Sequence, residues 1–122
     1  MQQQPQQSAQ PVKSPSSEVD LAATLGAAAT AVRMQGAGTK ARWAADAEPG
    51  LVLSAERLDR VVEHNAADLT AVLEAGVPLA RAQETFREAG QMLALDPPDP
   101  GGATIGGILA AGDSGPLRGR YG

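Results

Sequence analysis

Apolar positions in this chain come in short bursts separated by glycine, proline and turn residues. Val19, Ala22, Leu25, Ala29 and Val32 recur at near-helical spacing. Ser17 precedes them as an N-cap with Asp20 three residues on, so the pattern predicts a helix from Glu18 to about Thr30, weakened by Gly26. Ala31 to Gln35 alternates as a short strand and feeds the loop Gly36-Ala37-Gly38-Thr39-Lys40. Leu51-Val52-Leu53, introduced by Pro49-Gly50, predicts a second strand. Val61 to His64 fits a strand or a helix equally by periodicity, and Asn65 to Asp68 offers turn residues. Leu69 to Ala75 alternates as a strand that ends at Gly76. Pro78 suits the first turn of a helix whose apolar face is Leu79, Ala82, Phe86 and Ala89, closed by Gly90. Thr104 to Ala111 reads as a short apolar helix or turn capped by Gly112. Short strands mixed with helices predict an α/β or α+β domain, with no internal repeat.

Composition adjusts this picture in three ways. The chain has 122 residues, enough for one domain or part of one, and its 43% hydrophobic content is carried by Ala, Leu and Val. Aromatics make up only 2% (Trp43, Phe86 and Tyr121), so each buried side chain removes little area and the core is expected to be weak for its length. Residues 1–17 are rich in Gln, Pro and Ser and are expected to form a disordered tail, with structure beginning at Ser17. The net charge of −4 and the absence of a basic patch argue against nucleic acid as a partner. Without cysteine there is no disulfide, thiol chemistry or thiolate metal site, which fits a reducing compartment. No apolar run approaches the roughly 20 residues of a transmembrane helix, and the N-terminus lacks the basic start and apolar centre of a signal peptide.

Candidate chemistry concentrates in glycine-rich segments. The stretch from Pro97 to Gly107, running on through Gly112 and Gly115-Pro116 to Tyr121-Gly122, has glycines where a backbone would pass close to a ligand. Gly36-x-Gly38-x-x-Ala41 matches the dinucleotide fingerprint formally and follows a strand. That fingerprint needs a helix opening inside the loop, whereas Arg42 to Glu48 runs into Pro49-Gly50, so a Rossmann unit is rejected. A loop of exposed amides can still cradle a phosphate. No P-loop sequence occurs, and Ser114 lies outside any nucleophile-elbow pattern. The single histidine, His64, has no metal partners at suitable spacing and reads as a surface or turn residue. Asp96, Asp99 and Asp113 read as solvated loop carboxylates, and Lys40, Arg118 and Arg120 individually as solvated side chains, each able to approach a phosphate as a charge partner.

Taken together, the segments resemble a known family. The residues are Arg33-Met34-Gln35-Gly36-Ala37-Gly38-Thr39-Lys40, Asp68-Leu69-Thr70, Glu74-Ala75-Gly76, Gly90 to Leu93, Asp96-Pro97-Pro98, Ala103 to Gly107, Ala111-Gly112 and Ser114 to Gly122. Their order is similar to that in the FAD-binding domain of the vanillyl-alcohol oxidase and p-cresol methylhydroxylase (PCMH-type) flavoproteins. Within that group the chain looks most like the E subunit of glycolate oxidase. The resemblance spans about residues 18–122 and implies an α+β fold, with Val61 to His64 a strand paired to Leu69–Ala75.

It further implies that Gly36, Ala37, Gly38, Thr39 and Lys40 wrap the FAD pyrophosphate through backbone amides. Pro97, Pro98, Ala103, Thr104, Ile105, Gly106 and Gly107 would line the cofactor towards the flavin, and Gly112, Ser114 and Gly115 would make another close approach. Many relatives attach FAD through a histidine in the first loop; Thr39-Lys40 stands there instead, so the cofactor is expected to be non-covalent. No catalytic residue and no metal site is assigned. The family's domain continues past the position of Gly122, so residues 18–122 are expected to be the N-terminal part of that domain, inactive and poor at holding FAD alone. The implied whole is a flavin-dependent oxidoreductase acting on a 2-hydroxy acid such as glycolate, beside a catalytic flavoprotein subunit and an iron–sulfur subunit. It would be cytoplasmic or peripheral at the inner face of the cell membrane. The competing expectation is a non-catalytic binding or interaction module that keeps half of the flavin fold.

Overall fold

The computed structural model describes residues 10–40, 48–98 and 101–121. Nine elements follow one another in these segments. They are β1 (Val12–Lys13), α1 (Glu18–Gly26), β2 (Val32–Gln35), β3 (Leu51–Ser54), β4 (Val61–Asn65), β5 (Thr70–Leu73), α2 (Leu79–Glu88), α3 (Ile105–Ala111) and α4 (Arg118–Tyr121). The fold is mixed α+β, as expected. Residues 1–9 of the expected disordered tail, Arg42 to Asp46 of the rejected fingerprint helix, and Asp99 lie outside the described residues.

β3 lies at the centre of a three-stranded parallel sheet of order β1-β3-β2, with Val12 opposite Val52 and Val32 opposite Leu51. Every residue of β3 is buried, as the continuous apolar run Leu51-Val52-Leu53 requires of a strand covered on both faces. β1 corrects the tail expectation: Val12 and Lys13 were placed in a disordered segment but pair with β3. Both side chains are exposed, so the strand forms through backbone pairing that leaves no hydrophobic signature. Ser17 caps α1 as expected, its hydroxyl accepting from the Asp20 amide at 3.1 Å. The helix ends at Gly26, before the expected Thr30, and buries none of its side chains.

β4 and β5 form an antiparallel hairpin with a register irregularity between Val61 and Glu63. The structure therefore gives Val61 to Asn65 as a strand, in agreement with the resemblance. Leu69, expected to start β5, sits instead in the turn with φ 62°, leaving the strand to begin at Thr70. The hairpin is clamped at its base where Arg60 donates to Glu74 from Nε at 3.1 Å and Nη2 at 2.8 Å. These bonds, and one from the Arg60 amide at 2.8 Å, hold the Glu74 carboxyl below its ordinary range.

A second core gathers Val77, Leu79, Ala82, Phe86, Ala103, Ile105 and Ile108. Leu79, Ala82 and Phe86 form the buried face of α2 as expected, whereas Ala89 is exposed at its C-cap. The segment that enters α3 is laid along the segment that enters α2. Leu79 donates to the Ala103 carbonyl at 2.9 Å, Ile105 to Val77 at 2.9 Å, and Gly106 to Ala75 at 2.8 Å. These bonds set the start of α3 beside the end of β2, and so position the site.

Candidate functional site

A cleft of about 420 Å³ lies between the β2 end with its following loop and one face of α3. Its walls are Arg33 to Lys40 on one side and Ala103, Thr104, Gly107, Ala110 and Ala111 on the other. The two glycine-rich stretches thus meet in space. Their closest point is Gly36 against Thr104: a Cβ added at Gly36 would overlap Thr104 Oγ1. Thr104 is buried, and its hydroxyl accepts from the Gly107 amide at 3.3 Å as the N-cap of α3. Below this contact, the Ser54 hydroxyl at the end of β3 lies 3.4 Å from the Gly36 carbonyl and 3.0 Å from Glu56 Oε2. Gly38 takes φ +73°, a conformation that turns the loop and that glycine alone adopts without strain.

One ion pair ties the loop to the far end of α3. Lys40 Nζ lies 2.9 Å from Asp113 Oδ2, with 14% and 17% of the two side chains exposed. The contact is one of charge and distance rather than an aligned hydrogen bond. The sequence reading had both residues solvated. The structure corrects this, because the turn after α3 brings Asp113 back to the loop. The Gly112 cap, at φ 65°, drives that turn, and the Asp113 amide donates to the Ile108 carbonyl at 3.1 Å. Asp96 is likewise half-buried rather than solvated, its Oδ1 accepting from the Leu117 amide at 2.9 Å.

Gly106 stays beside the cleft, lining a cavity of about 210 Å³ with Gly36, Thr104, Gly107 and Ala110, whereas the other expected site residues separate. Ile105 is buried in the second core, and Gly106 packs on Ala75, where an added Cβ would come within 2.7 Å of the Ala75 Cβ. Gly112 and Ser114 line a different cavity, of about 270 Å³, together with Ala94, Leu95, Ile108, Leu109, Asp113 and Arg118. Gly115, at φ +73°, is pressed on the Asp96 backbone, and a Cβ there would overlap the Asp96 carbonyl. Pro97 is buried and Pro98 exposed; neither lines either cavity. Ala110 and Ala111 are cleft residues that the sequence reading did not single out as a wall, since small apolar residues on a short helix carry no ligand signal.

His64 is neither in a turn nor near the cleft. It lies on β4, half-buried, with Nε2 2.9 Å from Gln91 Oε1 and its ring edge-on to Phe86 at 4.9 Å between centroids. Among the described residues no cluster of three metal-ligating side chains occurs, and no helix is long and apolar enough to cross a membrane.

Chemically, the cleft offers backbone amides, the cations Arg33 and Lys40, and small residues along its α3 wall, a combination suited to a flat ligand bearing phosphate. Comparison with known proteins agrees. A family model described as an FAD binding domain matches residues 9–122. A D-2-hydroxyglutarate dehydrogenase of Xanthomonas citri pv. viticola is 39% identical over 72 residues, 59% of this chain. That match spans 15% of the relative's length.

Proposed function

Since the chain belongs to the FAD binding domain family, we propose that the cleft between Gly36–Lys40 and α3 holds the diphosphate-bearing part of FAD, without a covalent bond. The carrying observation is the meeting of two glycine stretches, far apart in sequence, at one contact. With any side chain at position 36 the walls could not close on Thr104 as they do. Amides of Gly36 to Lys40 and the Lys40 ammonium would neutralise phosphate oxygens, and Ala103, Gly107, Ala110 and Ala111 would leave room for the ligand's body. Gly112, Ser114 and Gly115 are proposed as a second approach to the cofactor, and Pro97 and Pro98 as acting through loop shape. The non-covalent reading is supported by the absence of histidine and cysteine from the cleft wall: the chain has no cysteine, and its one histidine packs on Phe86.

FAD supplies two-electron redox chemistry when bound; these residues bind and orient it. The proposed activity of the whole protein is flavin-dependent oxidation of a 2-hydroxy acid. The relative's name supports that substrate class over glycolate in particular. The catalytic flavoprotein and iron–sulfur subunits belong to the same proposal, which co-purification from the native cell would test.

Binding is tested by titrating the chain into FAD and following flavin fluorescence. Weak but saturable quenching is expected, as residues 18–122 are expected to hold FAD poorly alone, and Ala110→Trp, which fills the cleft from an exposed helix position, should abolish it. Quenching that A110W leaves unchanged would place the flavin elsewhere.

A further inference from the structure

The cleft and the second cavity flank the C-terminal turn of α3. Ala110 and Ala111 face the first, while Ile108, Leu109 and Gly112 face the second. Lys40 belongs to the wall of the cleft and Asp113 to the wall of the second cavity. Their ion pair, 2.9 Å long and largely shielded from water, therefore joins one wall to the other.

We propose that Asp113 holds Lys40 as an internal stand-in for a phosphate. The inference rests on the reading that the cleft takes a diphosphate-bearing ligand. The physical case has three parts. A lysine ammonium is a compact charge on a flexible stem with several donors, so it can exchange one anionic partner for another without a backbone change. Asp113 cannot follow it, because its amide is tied to the Ile108 carbonyl behind the left-handed Gly112. The half-buried pair is itself neutral, beside Arg33 on the same wall, so a ligand must bring enough negative charge to outcompete a carboxylate for Lys40. A diphosphate does so; a neutral flat molecule of the same width does not.

The test uses the 122-residue chain, its D113N and D113E variants, and two probes: inorganic pyrophosphate, which is small enough for the cleft alone, and FAD. Asp113→Asn removes the competing charge, so pyrophosphate should bind about fivefold tighter, a factor set by the modest worth of a partly exposed ion pair. FAD must break the same pair and should gain by a similar factor. Asp113→Glu keeps the charge and should stay near the parent chain, which separates loss of the competitor from misfolding. Carboxyl footprinting read by mass spectrometry supplies the second measurement. Saturating pyrophosphate should raise the labelling of Asp113 in the parent chain, the opposite of the protection that ligands ordinarily give.

Weaker pyrophosphate binding in D113N, or Asp113 labelling that falls or holds steady at saturation, overturns the exchange. FAD that binds without gaining in D113N overturns the exchange for the cofactor. If pyrophosphate behaves as expected and FAD does not bind, the flavin reading fails while the exchange stands. If pyrophosphate binds neither the parent chain nor D113N, the exchange is refuted.

Discussion

Two glycine-rich regions of this protein look alike in sequence and do different work. Gly36 to Lys40 faces Ala103, Thr104 and Gly107 across an open cleft. Gly112 to Gly115 folds back on the protein itself, with Gly115 pressed on the Asp96 backbone and the Asp96 carboxylate accepting from Leu117. The difference does not lie in what would meet an added methyl group. At Gly36 and Gly115 it is the protein's own atoms, Thr104 and Asp96; at Gly112 it is open space. Glycine content therefore marks close approach without saying whether the approaching partner is a ligand or another part of the chain.

The largest expected effect breaks the self-packed region. Gly115→Ala combines a positive φ with overlap of a backbone carbonyl, which cannot rotate away, so unfolding stability should fall by about 3 kcal/mol or more in urea titration. Gly36→Ala meets a side chain instead and should cost about 2 kcal/mol. Because the overlapping atom is Thr104 Oγ1, the double variant G36A/T104A should be less destabilised than the two single losses added together. Simple additivity there would show that Gly36 is not held by that contact. Thr104→Ala alone removes the α3 cap and should cost about 1 kcal/mol. Gly112→Ala, clashing with nothing, should show only the left-handed penalty of about 1 kcal/mol.

A variant outside both regions gives a control of the smallest effect. Arg60 holds the Glu74 carboxyl below its ordinary range, chiefly through side-chain hydrogen bonds. The folded state therefore gains stability above the unfolded-state pKa and loses it as pH falls through the folded value. Glu74→Gln should be slightly less stable than the parent at neutral pH, with the difference closing in acid. Neither cleft nor cavity should respond.

Local signals carried much of the fold. The Ser17 cap, the buried run Leu51-Val52-Leu53, the α2 face Leu79-Ala82-Phe86, and the Gly112 terminator each rest on neighbouring residues, so the sequence exposes them. β1 was hidden because Val12 and Lys13 bury no side chain and join the sheet through backbone alone. The Leu69 turn was hidden because an apolar residue with positive φ defies its own preference. Of the candidate site, the loop and the start of α3 were legible as segments. Their separation from Gly112 and Ser114, and the burial of Ile105, were not.

What the sequence determined alone was an inventory: where the backbone lacks side chains, which residues cap and end each helix, and the resemblance those segments carry as an ordered set. Which segments share a cleft was decided by the bonds from Ala75, Val77 and Leu79 to the chain entering α3, which set Thr104 against Gly36. The same tertiary folding carried Asp113 back to Lys40 and turned two residues expected in solvent into a half-buried pair. The physical reason is range. Capping, periodicity and φ preference act within a few residues, whereas an ion pair or a steric contact depends on distance in space, which the whole chain sets.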